Sequence, residues 1–320
     1  MSFDARKISL LLGAAAMLFF LSPLVLSRYT IFILNLCAVY ALVAIGLNLV
    51  MGYTGLISAG HAGFLAIGAY TTAILSTKIG WLSPLVVLPI AGLLTGVIGF
   101  VLGIPILRLK GFYIAMVTLA FGVVVAEIIL QWSSLTHGDD GFRVPKAVLG
   151  GFVFDTDVKL FYLIQPVTIC MTLIARNIVR TRVGRAFRAI EQSEIASQTM
   201  GIDLAKYKTM AFAVSAFYTG IAGGLFAYVV THISPDSFSM GVSIDFIAMI
   251  VIGGMGSILG SIIGAVILTG IQHALSEFAQ VQNLIFGIAL IVFMIFMPKG
   301  ISGMILDWKQ NAGNRKPRKQ

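Results

Sequence analysis

The sequence predicts an all-α polytopic membrane protein with about nine or ten membrane-embedded helices, and three observations carry that prediction. Apolar residues make up 58 % of the 320 and charged residues only 11 %, against about 25 % charged in an ordinary soluble domain. Uncharged runs close to the ~20 residues that cross a bilayer as a helix recur along the chain. Polar residues gather in one long insert, Arg176 to Lys208, while two Gly-rich stretches interrupt the apolar runs at comparable places in the two halves. Residues 1–320 read as a single transmembrane domain, and a soluble enzyme is excluded by composition.

Taken in order, Arg6 and Lys7 precede an apolar run from Ile8 to Leu26. It is longer than the ~7–15-residue core of a signal peptide and lacks a small-x-small cleavage site, so it reads as the first span. Further spans are expected at about Thr30–Val50, His61–Thr77, Leu82–Leu107, Phe112–Trp132 and Leu160–Ile178. Residues 133–159, holding Asp139, Asp140, Asp155 and Asp157, form an extracytoplasmic segment between the fifth and sixth. With the N-terminus in the cytoplasm, six crossings return the chain to the cytoplasm where the basic insert (177–208) begins, as the positive-inside tendency requires.

A seventh span covers about Thr209–Val230, and a final apolar run Leu284–Met297 leads to a basic cytoplasmic tail, 299–320. Parity then predicts something about Ile244–Gln272. One crossing there would put the tail outside, so the stretch reads as two short elements broken near Gly253, Gly254, Met255 and Gly256. This arrangement leaves five of the 22 Lys and Arg outside: Arg28, Lys78, Arg143, Lys146 and Lys159. The net charge of +9 therefore reports orientation first. Cys37 and Cys170 lie in apolar runs and read as buried thiols rather than a disulfide framework.

Within the insert, a Pro-free run from Val183 to Met200 predicts a helix. Ala186, Ala189, Ile190, Ser193, Ala196 and Met200 recur at spacings of three and four and fall on one face; Arg185, Arg188 and Gln192 fall on another. Gly201 suits a left-handed helix stop, and Asp203 can cap a helix beginning at Leu204. A helix, Gly turn and helix outside an apolar body suits a mechanical connection to another protein. Binding of anionic lipid accounts for the basic charge but not for that shape.

The Gly-rich stretches are Gly52–Tyr70 and Gly253–Gly270. Paired Gly-interrupted segments point to the substrate path of a transporter, because unwound backbone at membrane depth must line a cavity or be covered by protein. Gly92, Gly96, Gly99 and Gly103, like Gly256, Gly260 and Gly264, have the small-xxx-small spacing of close helix packing. Asn48, Gly52, Tyr53, Thr54, Gly55, Ser58, Gly60 and His61, with Gly253, Gly254 and Gly256, are the candidate path residues, packing being the competing use. Glu127, toward the outer end of the fifth span, reads as lining an aqueous vestibule, with a protonated or paired structural group near the interface as the alternative, since an unpaired charge in lipid costs a few kcal/mol. Asp245 reads as interfacial. Catalytic and metal sites are not expected: the chain carries no G-x-S-x-G elbow, no H-E-x-x-H, no phosphate-binding G-x-x-x-x-G-K-[ST] loop and no His/Cys/carboxylate grouping of ligand spacing.

The runs GLNLVMGYTGLISAGHAGFLAIGAY, RLKGFYIAMVTLAFG, SLTHGDDGF, VGRAFRAIEQSEIASQTMGI and GGMGSILGSIIGAVIL together resemble the M-type permease subunit of branched-chain amino-acid ABC importers. The likeness runs from about Thr30 to Pro298. It implies a type II importer-like permease paired with an H-type permease subunit, two cytoplasmic ATPase subunits that bind ATP and Mg, and a periplasmic solute-binding protein. It implies a coupling loop at Arg182–Asp203, with Arg185, Arg188, Ala189, Glu194, Ala196 and Gly201 facing the ATPase. Glu194 and Ala196 stand near the family's E-A-A positions; Ile195 replaces the first Ala and Gly201 falls one residue late.

The resemblance also implies a bacterial inner membrane, surrounding lipid, both termini in the cytoplasm, no nucleic acid and no cofactor on this chain. The expected mechanism is alternating access driven by the partner ATPases, with the Gly breaks as gates. Permeases of urea or short-amide importers are the nearest alternative. A proton-coupled secondary transporter using Glu127, His61 and Asp245 is the competing class.

Overall fold

The computed structural model describes residues 26–275 apart from 81, 107, 108 and 110, together with 23, 287, 288, 291 and 300–304. The expected first span, the final run Leu284–Met297 and the basic tail lie almost wholly outside the described residues. Ten helices of more than one turn are described: α1 (Arg28–Thr54), α2 (His61–Lys78), α3 (Pro84–Ile106), α4 (Phe112–Gln131), α5 (Asp157–Arg180), α6 (Arg182–Gln192), α7 (Glu194–Thr199), α8 (Leu204–Val230), α9 (Met240–Gly253) and α10 (Ile258–Ala274). Six segments, α1, α3, α4, α5, α8 and α9 with its leading turn, are long and apolar enough to cross a membrane.

The bundle is organised around α1 and α8, its two longest and most buried helices. Both are apolar all round, as helices enclosed by other helices must be. Gly92, Gly96, Gly99 and Gly103 of α3 face Ile221, Phe217, Ala213, Ala216, Phe212 and Thr209 of α8 so closely that a Cβ would meet most of these neighbours. Their spacing of three and four makes one ridge, and that is the packing use expected for them. On the other side of α8, Gly223 lies against the Leu65 carbonyl of α2, and the Tyr218 hydroxyl donates to the Met171 carbonyl of α5 at 2.9 Å.

One end of the bundle carries short strands. β1 (Phe142–Arg143) pairs antiparallel with β4 (His232–Ile233), and β2 (Ala147–Leu149) pairs with β3 (Phe152–Phe154). The β1–β4 pair ties the segment after α4 to the segment after α8. The other end carries the polar insert, α6 and α7. Helices α1 and α5 start at the strand end: Asn35 Nδ2 donates to the Asp157 carbonyl at 3.0 Å. Helix α8 runs back from the insert end.

The insert departs from expectation. Its predicted continuous helix, Val183–Met200, is two helices broken at Ser193, whose backbone is extended and whose hydroxyl accepts the Ala196 N–H at 3.2 Å. A serine that caps the following turn in this way competes with the helical ladder. The break also changes which face is buried. Ala186 and Ile190 of α6 pack inward as the spacing implies, joined by Gly184 and Phe187, but in α7 Ser197 is the buried residue, while Ser193, Ala196 and Met200 are exposed. Gly201, at φ 83°, ends α7, and Asp203 caps α8 by accepting the Lys206 N–H at 3.1 Å. Cys37 is buried as expected, whereas Cys170 lies on the exposed face of α5.

The predicted division of 244–272 is present: α9 ends at Gly253 and α10 begins at Ile258. The two helices double back against each other. A Cβ on Gly264 would meet the Met249 carbonyl, and one on Gly260 the Gly253 carbonyl. Both therefore lead from the strand end to a break inside the body and return. Gly300 lies against Gly254, so the chain after α10 comes back to the level of that break.

Candidate translocation site

Helix is interrupted twice in this region, and the second interruption packs against the last turns of α1, just before the first. The first, 55–60, follows α1, where Gly55 takes φ 71° and its N–H bonds the Val50 carbonyl. Only glycine adopts that left-handed conformation without steric cost, which is why the helix stops there. The chain then re-enters and starts α2 at His61. The second, 254–257, has Gly254 at φ 110° and Gly256 at φ 74°.

Asn48 joins the second break to α1. Its Oδ1 accepts the Gly256 N–H at 2.9 Å, and its Nδ2 donates to the Ser257 carbonyl at 2.9 Å and to Ser261 Oγ at 2.6 Å. The side chain is 1 % exposed, so unwound backbone at membrane depth is satisfied by a buried amide instead of water. Gly52 is the close-approach point: a Cβ there would meet Asn48 Oδ1 and the Gly256 nitrogen.

Thr54 turns its hydroxyl back to the Val50 carbonyl at 2.6 Å. Tyr53 lies under the Arg188 guanidinium, 5.4 Å from the ring centroid, and Gly55 lies against Glu191. The insert therefore touches the first break directly. At the top of that break, Ala59 N–H donates to Thr118 Oγ1 at 3.0 Å and Gly60 presses on the Thr118 carbonyl of α4. His61 is fully buried, 3.1 Å from Ser58 Oγ and 2.7 Å from Ser215 Oγ. It links α2 to α8.

A cavity of about 270 Å³ opens from the strand end down to this first break. Ala59 and Ala62 form its floor, and Leu119, Gly122, Val123 and Ala126 of α4 form a wall. Glu127 sits above them, with Asp139 and Asp236 at the mouth, and Ser239, Met240 and Ser243 at the start of α9 opposite. Glu127 Oε1 accepts from Gln131 Nε2 at 2.9 Å. Of the expected path residues, Glu127 alone lines this cavity. Asn48, Gly52, Tyr53, Thr54, Gly55, Gly253, Gly254 and Gly256 lie at the end of α1 and the second break that packs against it, and Ser58, Gly60 and His61 lie between that region and the cavity. Ser243 was not anticipated; one serine near the start of an apolar run leaves no signal in the sequence.

Of the insert residues expected to face a partner, Arg185 and Arg188 are exposed, Ala189 is half-buried, and Gly201 and Ala196 are exposed. Glu194 is engaged within the chain: its Oε1 is 2.7 Å from Nζ of Lys208, which is 3 % exposed. Ile195 and Met200 are 79 % and 83 % exposed, large apolar side chains at the tip of a polar insert. Periodicity over one continuous helix could not find them, because the break at Ser193 turns them outward. Asp245 accepts from Gln272 Nε2 at 3.0 Å, which ties α9 to α10. Among the described residues, no group of three or more His, Cys, Asp or Glu is placed to hold a metal ion.

The family described as "Branched-chain amino acid transport system / permease component" matches residues 29–298. The chain is 36 % identical over 306 residues to the high-affinity branched-chain amino acid transport system permease protein LivM of Escherichia coli (strain K12), covering 88 % of this chain and 72 % of that one. It is 27 % identical to the LivH permease protein of the same strain, covering 84 % and 92 %. It is 26 % identical to the ribose import permease protein RbsC of Haemophilus influenzae, covering 76 % of each. No solved structure matches. With almost all of its membrane body inside that match, this chain belongs to the family of permease components of branched-chain amino acid transport systems.

Proposed function

We propose that this chain is the M-type permease subunit of an ATP-driven importer that carries branched-chain amino acids by alternating access. The similarity to LivM over 88 % of the chain carries the reading, since LivM is named for that transport. In the assembly, the chain pairs with an H-type permease subunit. Two ATPase subunits binding ATP and Mg sit at the insert end, and a periplasmic solute-binding protein docks at the strand end. The membrane is the bacterial inner membrane, both termini are cytoplasmic, and lipid surrounds the bundle.

The insert is suited to this task in a particular way. Exposed Ile195 and Met200 offer apolar surface of the kind buried at the core of protein interfaces. Arg188 and Glu191 of the adjoining helix rest on Tyr53 and Gly55. Displacement of α7 by an ATPase is thereby delivered to the first helix break.

Co-purification from the native membrane tests the reading. The unaltered chain should bring down ATPase subunits with phosphate-binding loops, and Ile195→Glu with Met200→Glu should release them while the second permease stays bound. A chain that purifies without ATPases and transports alone in vesicles would refute it.

A further inference from the structure

We propose that the hairpin of β2 and β3 is a membrane-interface anchor, its outward face and tip lying among the lipid headgroups beside the first turns of α3. The inference uses the membrane-spanning fold and goes beyond the transport reading, which gives this hairpin no role.

Its residues do not suit a hairpin standing in water. From Ala147 to Phe154 the chain reads AVLGGFVF, without a polar side chain. Cross-strand pairing puts Ala147 with Phe154 and Leu149 with Phe152 on one face, and Val148 with Val153 on the other. Ala147 and Phe154 are buried, whereas Val148 and Val153 are exposed and Phe152, next to the turn, is 54 % exposed. An antiparallel pair with one face in water alternates apolar and polar residues, and this pair does not.

The turn is equally bare. Gly150 and Gly151, at φ 56° and 88°, make a two-residue turn of the kind in which Asn-Gly serves as well. A Cβ on either glycine would meet nothing within 4 Å, so the tip stands clear of the body with no polar side chain to offer water. An uncharged, exposed apolar hairpin invites pairing with other chains unless something covers it.

The neighbouring helix points to lipid as the cover. Strand β2 packs against α3. Leu88 of α3 lies against Gly224 near the end of α8, and Gly103 lies against Thr209 near its start, so α3 begins at the strand end and its first turns are the ones β2 meets. Every exposed residue of α3 is apolar, from Leu85 and Val86 through Ile90 and Leu93 to Ile104. At ~1.5 Å per residue its 23 residues cross the ~30 Å hydrocarbon core, and an outer face of this composition borders lipid. The outward surface of the hairpin continues that face. Helix α4 differs, since its exposed residues include Glu127 and Gln131. Tyr29 at the start of α1, Trp132 at the end of α4 and Tyr162 early in α5 are exposed at this same end, as in the aromatic belt of a membrane interface.

Two features set the depth. Among the described residues each strand has one edge without a ladder partner, and such backbone needs water, which keeps the hairpin out of the hydrocarbon. At its base, Arg28, Lys146, Asp155 and Asp157 line a small pocket, and the Lys159 ammonium, bonded to Asp155, lies 5.2 Å from the Phe152 ring centroid. With Arg28, Lys146 and Lys159 set against Asp155 and Asp157, net attraction to anionic lipid is slight, and apolar burial supplies the anchoring.

The test uses the purified permease assembly in phosphatidylcholine vesicles. Trp81→Phe, Trp132→Phe and Trp308→Phe remove the native tryptophans, and Phe152→Trp or, separately, Val148→Trp supplies one fluorescent probe on each face of the hairpin. Lipid carrying a nitroxide near the glycerol should quench either probe severalfold more than lipid labelled near the end of the acyl chain. Iodide should quench both severalfold less than it quenches free tryptophanamide, and phosphatidylglycerol in the vesicles should leave these ratios unchanged.

Probes that iodide reaches as freely as tryptophanamide, with no quenching by lipid, would put the hairpin in water and overturn the proposal. Shielding from iodide that appears only when the solute-binding protein is added, or shielding from iodide and lipid alike, would give the face to a protein partner and overturn it too. Stronger quenching by the deep label would show a hairpin within the hydrocarbon, against the depth its open strand edges require.

Discussion

The Asn48 side chain and the Gly256 backbone nitrogen are 2.9 Å apart, although 208 residues separate them in the chain. Through that contact and its bonds to Ser257 and Ser261, one amide closes the polar groups of a helix break that water would otherwise have to solvate. Asn48→Leu should therefore lower stability by roughly 1–3 kcal/mol for each buried group left unpaired. A thermal melt in detergent reads this directly; an unchanged midpoint would show that the break satisfies itself.

Close approach at Gly52 makes a sharper expectation. Gly52→Ala places a methyl group on Asn48 and the Gly256 nitrogen, whereas Gly270 has open space where a Cβ would go. The first substitution should cost about 1–3 kcal/mol, as overpacking does, and reduce transport; Gly270→Ala should leave both untouched. Equal behaviour of the two would mean that the second break does not pack on α1 at Gly52.

The Glu194–Lys208 pair holds α7 against the start of α8. Lys208 is buried and Glu194 is partly open to solvent, so reversing the charge on Glu194 is expected to do far more harm than neutralising Lys208. Glu194→Lys should expose the insert to proteolysis and abolish stimulation of the ATPase by substrate. Lys208→Met should retain most of both, because it removes a buried charge without stranding another. Equal sensitivity of the two variants to protease would contradict this account.

At the strand end, the Lys159 ammonium bonded to Asp155 holds that carboxyl below the usual carboxylate range. A lowered folded-state value means the contribution is complete above the unfolded pKa of about 3.9 and fades as the pH falls through the folded value. The difference in melting midpoint between the wild type and Asp155→Asn should thus be constant from pH 7 to 5 and shrink only below about pH 4. The effect is small because both groups are exposed. A gap that closes near pH 6 would point to another group.

Proton coupling through Glu127 would behave differently. With ATP-driven import, Glu127→Gln should weaken uptake while leaving it dependent on ATP and insensitive to collapse of the proton gradient. Uphill uptake that needs the gradient and vanishes with Glu127→Gln would favour a secondary transporter.

Most of the architecture was legible because lipid imposes a plain rule: a crossing helix must be long and apolar, and charge must lie beyond its ends. The boundaries of α2 and α4 fell within a residue of expectation, and the division of 244–272 followed from charge parity without any structural knowledge. Gly201 and Asp203 ended one helix and began the next as their backbone chemistry requires.

What the sequence by itself determined was the membrane class, the helices between Arg28 and Val230, the polar insert and the existence of two glycine breaks, all of which depend on local composition. Tertiary structure alone decided that the second break packs on the end of α1, that Asn48 serves it, that His61 is enclosed between two serines, and that Ser243 and Glu127 line one cavity. It also turned Ile195 and Met200 outward, because Ser193 capped a new helix instead of continuing the old one. Those outcomes depend on which residues distant in the chain come within hydrogen-bonding reach, and hydropathy and periodicity carry no record of that.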